Sequence, residues 1–493
     1  MNSNPNPAPT ASEQKKGKSL LRFLALLLAV LLPLPFLTVA VLTVPDVYGD
    51  TFLGALSPKL TLLKETDEPK IVVVGGSSVA FGLDSELLAE KTGYQVVNFG
   101  LYATLGTRVM LDLSKPHINE GDIVILAPEL DKQTLSLYFN AEAVWQAADS
   151  DLSILAGVHP DNYLDVAAGL PGYLSAVLPR ILKGEGKISP TGIYRSDSFN
   201  AYGDIIYPRE YNVMAAGYDV NQTVTLSPDL YDAEFLAYLN AYITSCKKKG
   251  ASVYYTFCPV NKSALAEGMD AETVAEFYRF VSENVDCPVI SDPNALFMEE
   301  GYFYDTNFHL NDAGVIVRTA NLIDDLNRAM GITERLEIEL PAPPEKPVLE
   351  GPDMWVENEW SVLFTYEAFG DGLRITGVTE EAKEREVLEI PYKADGKPVF
   401  VLGANALAEC KSLKELTVYD NLTIIENGAF TGADALEKLH VRREEAENLE
   451  AGADLFVGAS DALRMYFYTE TSYQNFVSGY WWSIHAARMV QPE

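Results

Sequence analysis

Residues 70–82 read KIVVVGGSSVAFG, an unbroken β-branched run that stops abruptly at Gly75-Gly76-Ser77-Ser78. A strand with one wet face alternates polar and apolar residues. This one does not, so it belongs inside a parallel sheet covered on both faces. The small residues that end it permit a sharp strand-to-helix turn with a hydroxyl standing at the sheet edge. Ser78 is therefore a candidate nucleophile; a plain glycine turn is the competing reading of the same residues.

The flanking sequence repeats the alternation. A short helix from Asp84 closes at Gly93, residues 95–99 (QVVNF) form a second strand, residues 107–113 a helix broken by Pro116, and residues 122–127 (DIVILA) a third strand that ends in Pro128-Glu129. After an interruption, helices at 233–249 and 271–283 alternate with strands at 252–257 and 288–291, and a periodic helix covers 313–330. Strands and helices alternating at this spacing build βαβ units, which predicts an α/β fold with five parallel strands and helices on both faces. The interruption, residues 131–231, is an insertion within the domain spanning residues 46–339. So long an excursion is a lid or substrate wall, or a structural subdomain without a ligand role.

Proline-rich residues 340–354 form a semi-rigid linker, and the composition changes beyond it. Residues 406–418 and 429–441 superpose at a shift of 23, with Leu413, Leu416 and Val418 falling on Leu436, Leu439 and Val441. A fixed period in the twenties with an L-x-x-L-x-V core predicts stacked leucine-rich repeats, each giving one short strand. Residues 388–390 and 463–465 are flanking partial repeats, and the region runs from 355 to 493.

At the other end, residues 23–44 carry no charge, long enough to cross a hydrocarbon core of about 30 Å. Four basic residues between Lys15 and Arg22 precede this run, and Asp46 and Asp50 follow it. The polar tail 1–18 is thus expected to be cytoplasmic, residues 19–45 to form one membrane helix, and the rest to lie outside the cell membrane. A cleaved signal peptide is the alternative. The formal net charge of −33 disfavours nucleic acid, whose phosphates would be repelled nearly everywhere. The four cysteines show neither CxxC spacing nor His partners at metal-ligand spacing, so no metal site is expected, and the glycine turn lacks the Lys-Ser/Thr of a P-loop, so no cofactor is expected.

A serine nucleophile needs a base, an orienting carboxylate and N–H donors where the oxyanion forms. His309, in a loop before the last helix with Asp305 four residues upstream, is the best-placed base. Ser78, Ala103 and Glu129 each follow the carboxyl end of a predicted strand, the edge where open parallel sheets bind ligands, and His309 precedes the closing helix at that edge.

These segments together resemble the SGNH or GDSL hydrolase superfamily. Residues 76–82 (GSSVAFG) resemble its G-D-S-x-x-x-G block with Ser77 in place of Asp, residues 98–103 its second block with Ala103 in place of glycine, and residues 305–314 its D-x-x-H block with one extra residue. In the third block, Pro128-Glu129 stands where the family has Gly-x-Asn-Asp. The resemblance implies a three-layer SGNH-like fold in which Ser78 is the nucleophile, His309 the base and Asp305 its orienting carboxylate. The Ser78 and Ala103 amides would hold the oxyanion, Glu129 and Asn307 would face the substrate, and Asn307 is a possible substitute for Asp305. Gly-Ser-Ser variants occur among membrane-anchored members that modify cell-envelope polymers, which implies an extracytoplasmic esterase or O-acyltransferase acting on cell-wall glycan or teichoic polymer, with an integral-membrane acyltransferase as a possible partner. A catalytically weak scaffold that binds glycan or an envelope protein is the alternative. Residues 355–493 resemble the BspA-type leucine-rich repeats of bacterial surface proteins.

Overall fold

In a computed structural model, strand β1 (Lys70–Gly75) lies between β2 (Gln95–Gly100) and β3 (Ile123–Ala127), with β4 (Ser252–Tyr255) beyond β3 and all pairs parallel. The structure describes residues 46–493 except 67–68, 150, 215, 334–336, 346–354, 447, 480 and 493. Every residue of β1 and β3 is buried, as their unbroken apolar runs require. One buried ion pair sits at the foot of the sheet. Lys70 Nζ lies 3.3 Å from Asp122 Oδ2, the Lys70 N–H donates to Asp122 Oδ1 at 3.0 Å, and neither side chain is exposed. A parallel pair has no hairpin to set its register, and this contact joins the starts of the two strands, so that Gly75 pairs with Ala127 at their carboxyl ends.

The expected fifth strand is reduced to one parallel bridge between Tyr255 and Val289. Pro288 brings no N–H to a ladder, and Pro293 opens a 3-10 turn four residues after Val289, so the run is too short to extend. The sheet therefore has four strands. Ahead of the first strand lies the helix Leu56–Glu65, whose Leu56, Leu60 and Leu63 are buried in the main core. Apolar residues at this spacing lie on one helical face, which explains why the segment packs.

The insertion folds around the helix Tyr163–Lys183, closed by Gly184 in the left-handed region at φ 72°. Its later half returns to the sheet edge. Asp204 there accepts from Ser85 N at 2.8 Å and from Asn98 Nδ2 at 2.8 Å, and the Arg209 guanidinium donates to the Phe81 and Ile205 carbonyls at 3.1 Å each.

Beyond the linker the predicted repeat is present as register. Strands Glu415–Tyr419 and Lys438–Arg442 pair in parallel at the shift of 23, flanked by Val387–Glu389, Arg464–Phe467 and Met489–Val490 in one five-stranded sheet. All six of the repeat's aligned core residues are buried. A second sheet, built on Gly372–Val378, Lys397–Leu402, Ile424–Ile425 and Glu450–Ala451, forms another wall of the solenoid and was not evident from the repeat pattern.

This module is docked on the first domain. Thr191 N donates to Asn475 Oδ1 at 2.7 Å, Asn427 N donates to Asn221 Oδ1 at 3.0 Å, and the Tyr102 and Ser483 hydroxyls are 2.9 Å apart. Among the described residues no helix is long and apolar enough to cross a membrane. The expected tail and membrane segment, residues 1–45, lie outside the described residues. All four cysteines are free and buried.

Removing one partner of a buried ion pair leaves an uncompensated charge. Lys70→Met is expected to cost about 3–5 kcal/mol in chemical denaturation, with much of that loss recovered in the double variant Lys70→Met/Asp122→Leu.

Candidate functional site

The turn after β1 is shaped by close approach rather than by unusual backbone angles. Gly76 has φ −92°, which any residue can adopt, but a Cβ on it would lie 2.9 Å from Glu129 Oε1. A Cβ on Gly100 would lie 2.4 Å from Val79 Cβ. The two glycines let the turn press against the ends of β2 and β3, and the single helical turn Ser77–Ala80 begins there.

Glu129, at the end of β3, meets this turn directly. Its Oε1 accepts from Ser77 Oγ at 3.0 Å and from Ser78 N at 2.7 Å. The Ser78 amide, expected as an oxyanion donor, is thus engaged by a carboxyl group, while Ser78 Oγ is buried without a hydrogen-bond partner among the described residues. Burial pushes the Glu129 carboxyl above its ordinary range and the nearby Asp131 adds to this; His309, the Ser78 amide and the Ser77 hydroxyl pull it part of the way back. Ala103 opens the 3-10 helix Ala103–Leu105, so its N–H has no acceptor within that helix.

The loop before the helix Asp312–Ala329 holds the candidate base and its carboxylate. His309 Nδ1 is 2.8 Å from Asp305 Oδ1, and both side chains are buried. The extra residue between them is absorbed by a tight loop: Tyr304 N donates to His309 O, and Thr306 Oγ1 accepts from the N–H groups of Phe308 and His309. Asn311 then caps the helix Asp312–Ala329 by accepting from Gly314 N. The His309 ring stacks on Phe81, with centroids 3.9 Å apart and planes within 7°. Phe81 lies three residues after Ser78, so this stack brings the imidazole to the serine turn.

Two partners of this pair were not singled out from sequence. The Tyr194 hydroxyl donates to Asp305 Oδ2 at 2.5 Å, fixing the oxygen that does not face His309. Arg209 covers Phe81 at 5.5 Å from its ring centre. Both come from the insertion, where a long loop gives no periodicity to mark them.

Asn307 is placed differently from the expectation that it faces substrate or replaces Asp305. Its Oδ1 accepts from Asp219 N at 2.8 Å and its Nδ2 donates to the carbonyls of Asp219 and Gln222. The side-chain amide is spent on holding residues 219–222. The structure thus gathers Ser78, Glu129, Asp305 and His309 around Phe81 and the β1 turn, and Asn307 braces a neighbouring loop.

Glu129 and Ala103 also line a cleft of about 250 Å³ with Tyr102, Asp219 and residues of the repeat module. Among the described residues no group of His, Cys, Asp or Glu has a metal-holding arrangement.

No known protein family matches this sequence, and no curated protein is similar to it. Among solved structures, a leucine-rich repeat protein of T. pallidum, TpLRR, matches at 21% identity over 24% of this chain and 44% of its own, with a TM-score of 0.15. The chain spans less than half the length of that protein.

Asp219 provides a pH test of this architecture. Burial pushes its carboxyl up to about 7. Folding therefore favours the protonated form; this contribution is full below the ordinary pKa near 3.8 and is lost as pH rises through about 7. Asp219→Asn is expected to raise Tm by several degrees at pH 8 relative to wild type, a gain that shrinks toward zero near pH 4 in scanning calorimetry.

Proposed function

We propose that the chain is an extracytoplasmic, membrane-anchored serine esterase or O-acyltransferase acting on acyl groups of cell-envelope glycan or teichoic polymer. The observation that carries this reading is the buried His309–Asp305 pair, held from behind by Tyr194 and stacked through Phe81 on the turn that bears Ser78. A histidine whose Nδ1 is committed to a carboxylate is fixed in orientation and tautomer, so its Nε2 exchanges protons at the reacting centre.

In this reading Ser78 Oγ attacks the acyl carbonyl carbon while His309 takes the hydroxyl proton. The tetrahedral intermediate collapses to an acyl-serine as the same proton passes to the departing alcohol. Water or a second sugar hydroxyl then attacks the acyl-serine, giving up its proton to His309, which returns it to Ser78 Oγ. The Ala103 amide supports the oxyanion. Glu129, pushed toward its protonated form, offers a carboxylic acid O–H where the resembling family has an asparagine amide.

The SGNH-like three-layer fold, the BspA type of the repeats, a single membrane helix within residues 19–45, and an integral-membrane acyltransferase partner belong to the same proposal. A second reading, a catalytically weak scaffold that binds glycan or an envelope protein, is favoured by one contact: Glu129 Oε1 occupies the Ser78 amide, and turnover requires it to yield that donor.

Treatment of the purified full-length chain with a fluorophosphonate probe is expected to label wild type at Ser78 and to leave Ser78→Ala unlabelled. Equal labelling of the two, or none of wild type, contradicts the assignment. Glu129→Gln, which keeps an O acceptor and adds an N–H donor, is expected to retain ester hydrolysis within about tenfold, whereas Glu129→Ala is expected to lose on the order of 10²-fold in kcat.

A further inference from the structure

The cleft that reaches Glu129 has walls from both halves of the chain. The first domain contributes Tyr102, Ala103, Glu129 and Asp219; the repeat module contributes Asn427, Asp454 and Trp481. The hydrogen bonds that dock the module border this space, since Asn427 N donates to Asn221 Oδ1 and Tyr102 meets Ser483. The repeat module therefore closes one side of the cleft at Glu129, and the hydrogen bonds between Thr191 and Asn475 join the two halves nearby.

The chemistry of these walls is selective. Two aromatic residues, Tyr102 and Trp481, lie among carboxyl and amide side chains, and among the described residues that line the cleft there is neither lysine nor arginine. A phosphate-bearing chain entering here would meet the exposed carboxylate of Asp454 and no compensating cation. Burial pushes Glu129, Asp131 and Asp219 toward their protonated forms, in which each both donates and accepts hydrogen bonds. Paired donors and acceptors suit sugar hydroxyls, and aromatic faces suit the apolar C–H faces of a pyranose ring.

We infer that this interdomain cleft is the polymer-binding subsite, that it takes an uncharged oligosaccharide in preference to a polyol phosphate, and that Trp481 and Asp454 of the repeat module determine this specificity. The inference rests on the esterase or acyltransferase reading and narrows its substrate to glycan.

Binding is measured apart from catalysis by titrating N-acetylated chitohexaose and, separately, a glycerol phosphate oligomer into the full-length Ser78→Ala chain. Chitohexaose is expected to bind at least tenfold more tightly. Trp481→Ala is expected to weaken it by at least tenfold and Asp454→Ala by severalfold. Asp454 is exposed, so its substitution keeps the test valid if the buried Trp481 is needed for folding. Tighter binding of the glycerol phosphate oligomer, no binding of chitohexaose, or binding indifferent to Asp454 overturns the inference. Sugar binding that depends on Asp454 in a chain whose Ser78 resists the probe supports the cleft and contradicts the catalytic reading alone.

Discussion

Burial of β1 along its whole length is the constraint on which the rest of the first domain depends. A strand with no wet face must have its backbone groups paired on both sides, and β2 and β3 supply those partners in parallel. Parallel pairing brings three strand ends to one edge, so the residues following Gly75, Gly100 and Ala127 become neighbours. Gly76 and Gly100 then allow the approach to tighten until Glu129 touches the serine turn. The Lys70–Asp122 pair secures the opposite end of the same register.

Ser77 and Glu129 are best understood together. In the resembling family the residue before the serine is a carboxylate and the third strand ends in an amide. Here the hydroxyl of Ser77 lies in the turn and the carboxyl of Glu129 follows the third strand, and the two meet at 3.0 Å. A carboxyl group at this position is compatible with oxyanion chemistry only when it carries its proton, and burial together with Asp131 favours that state. The proposed reaction thus depends on the burial of Glu129.

Much of this was legible in the sequence because it obeys short-range rules. Uninterrupted Ile/Val runs marked β1 and β3, the shift of 23 marked the repeat, and the loop Asp305–His309 marked the buried pair. The missed features depend on distant contacts. Local spacing marks an apolar face on residues 56–65 but not the surface it covers, and nothing local shows that Tyr194 reaches Asp305 from 111 residues away. Asn307 was misplaced for the same reason: its neighbours in sequence suggest the site, while its amide is consumed by residues 219–222. The second sheet of the solenoid carries the same shift of 23, with Val401 and Leu402 pairing with Ile424 and Ile425, but strands of two residues are too short to stand out in the sequence.

The central claim is that Ser78 carries an acyl group during turnover. Rapid acid quench of the full-length chain reacting with an activated acetyl ester, followed by proteolysis and mass spectrometry, tests it directly. The account predicts a peptide containing Ser78 heavier by one acetyl group, accumulating in wild type and absent from His309→Ala. An acetyl group found on another residue, or ester turnover with Ser78 unmodified at every quench time, would contradict it.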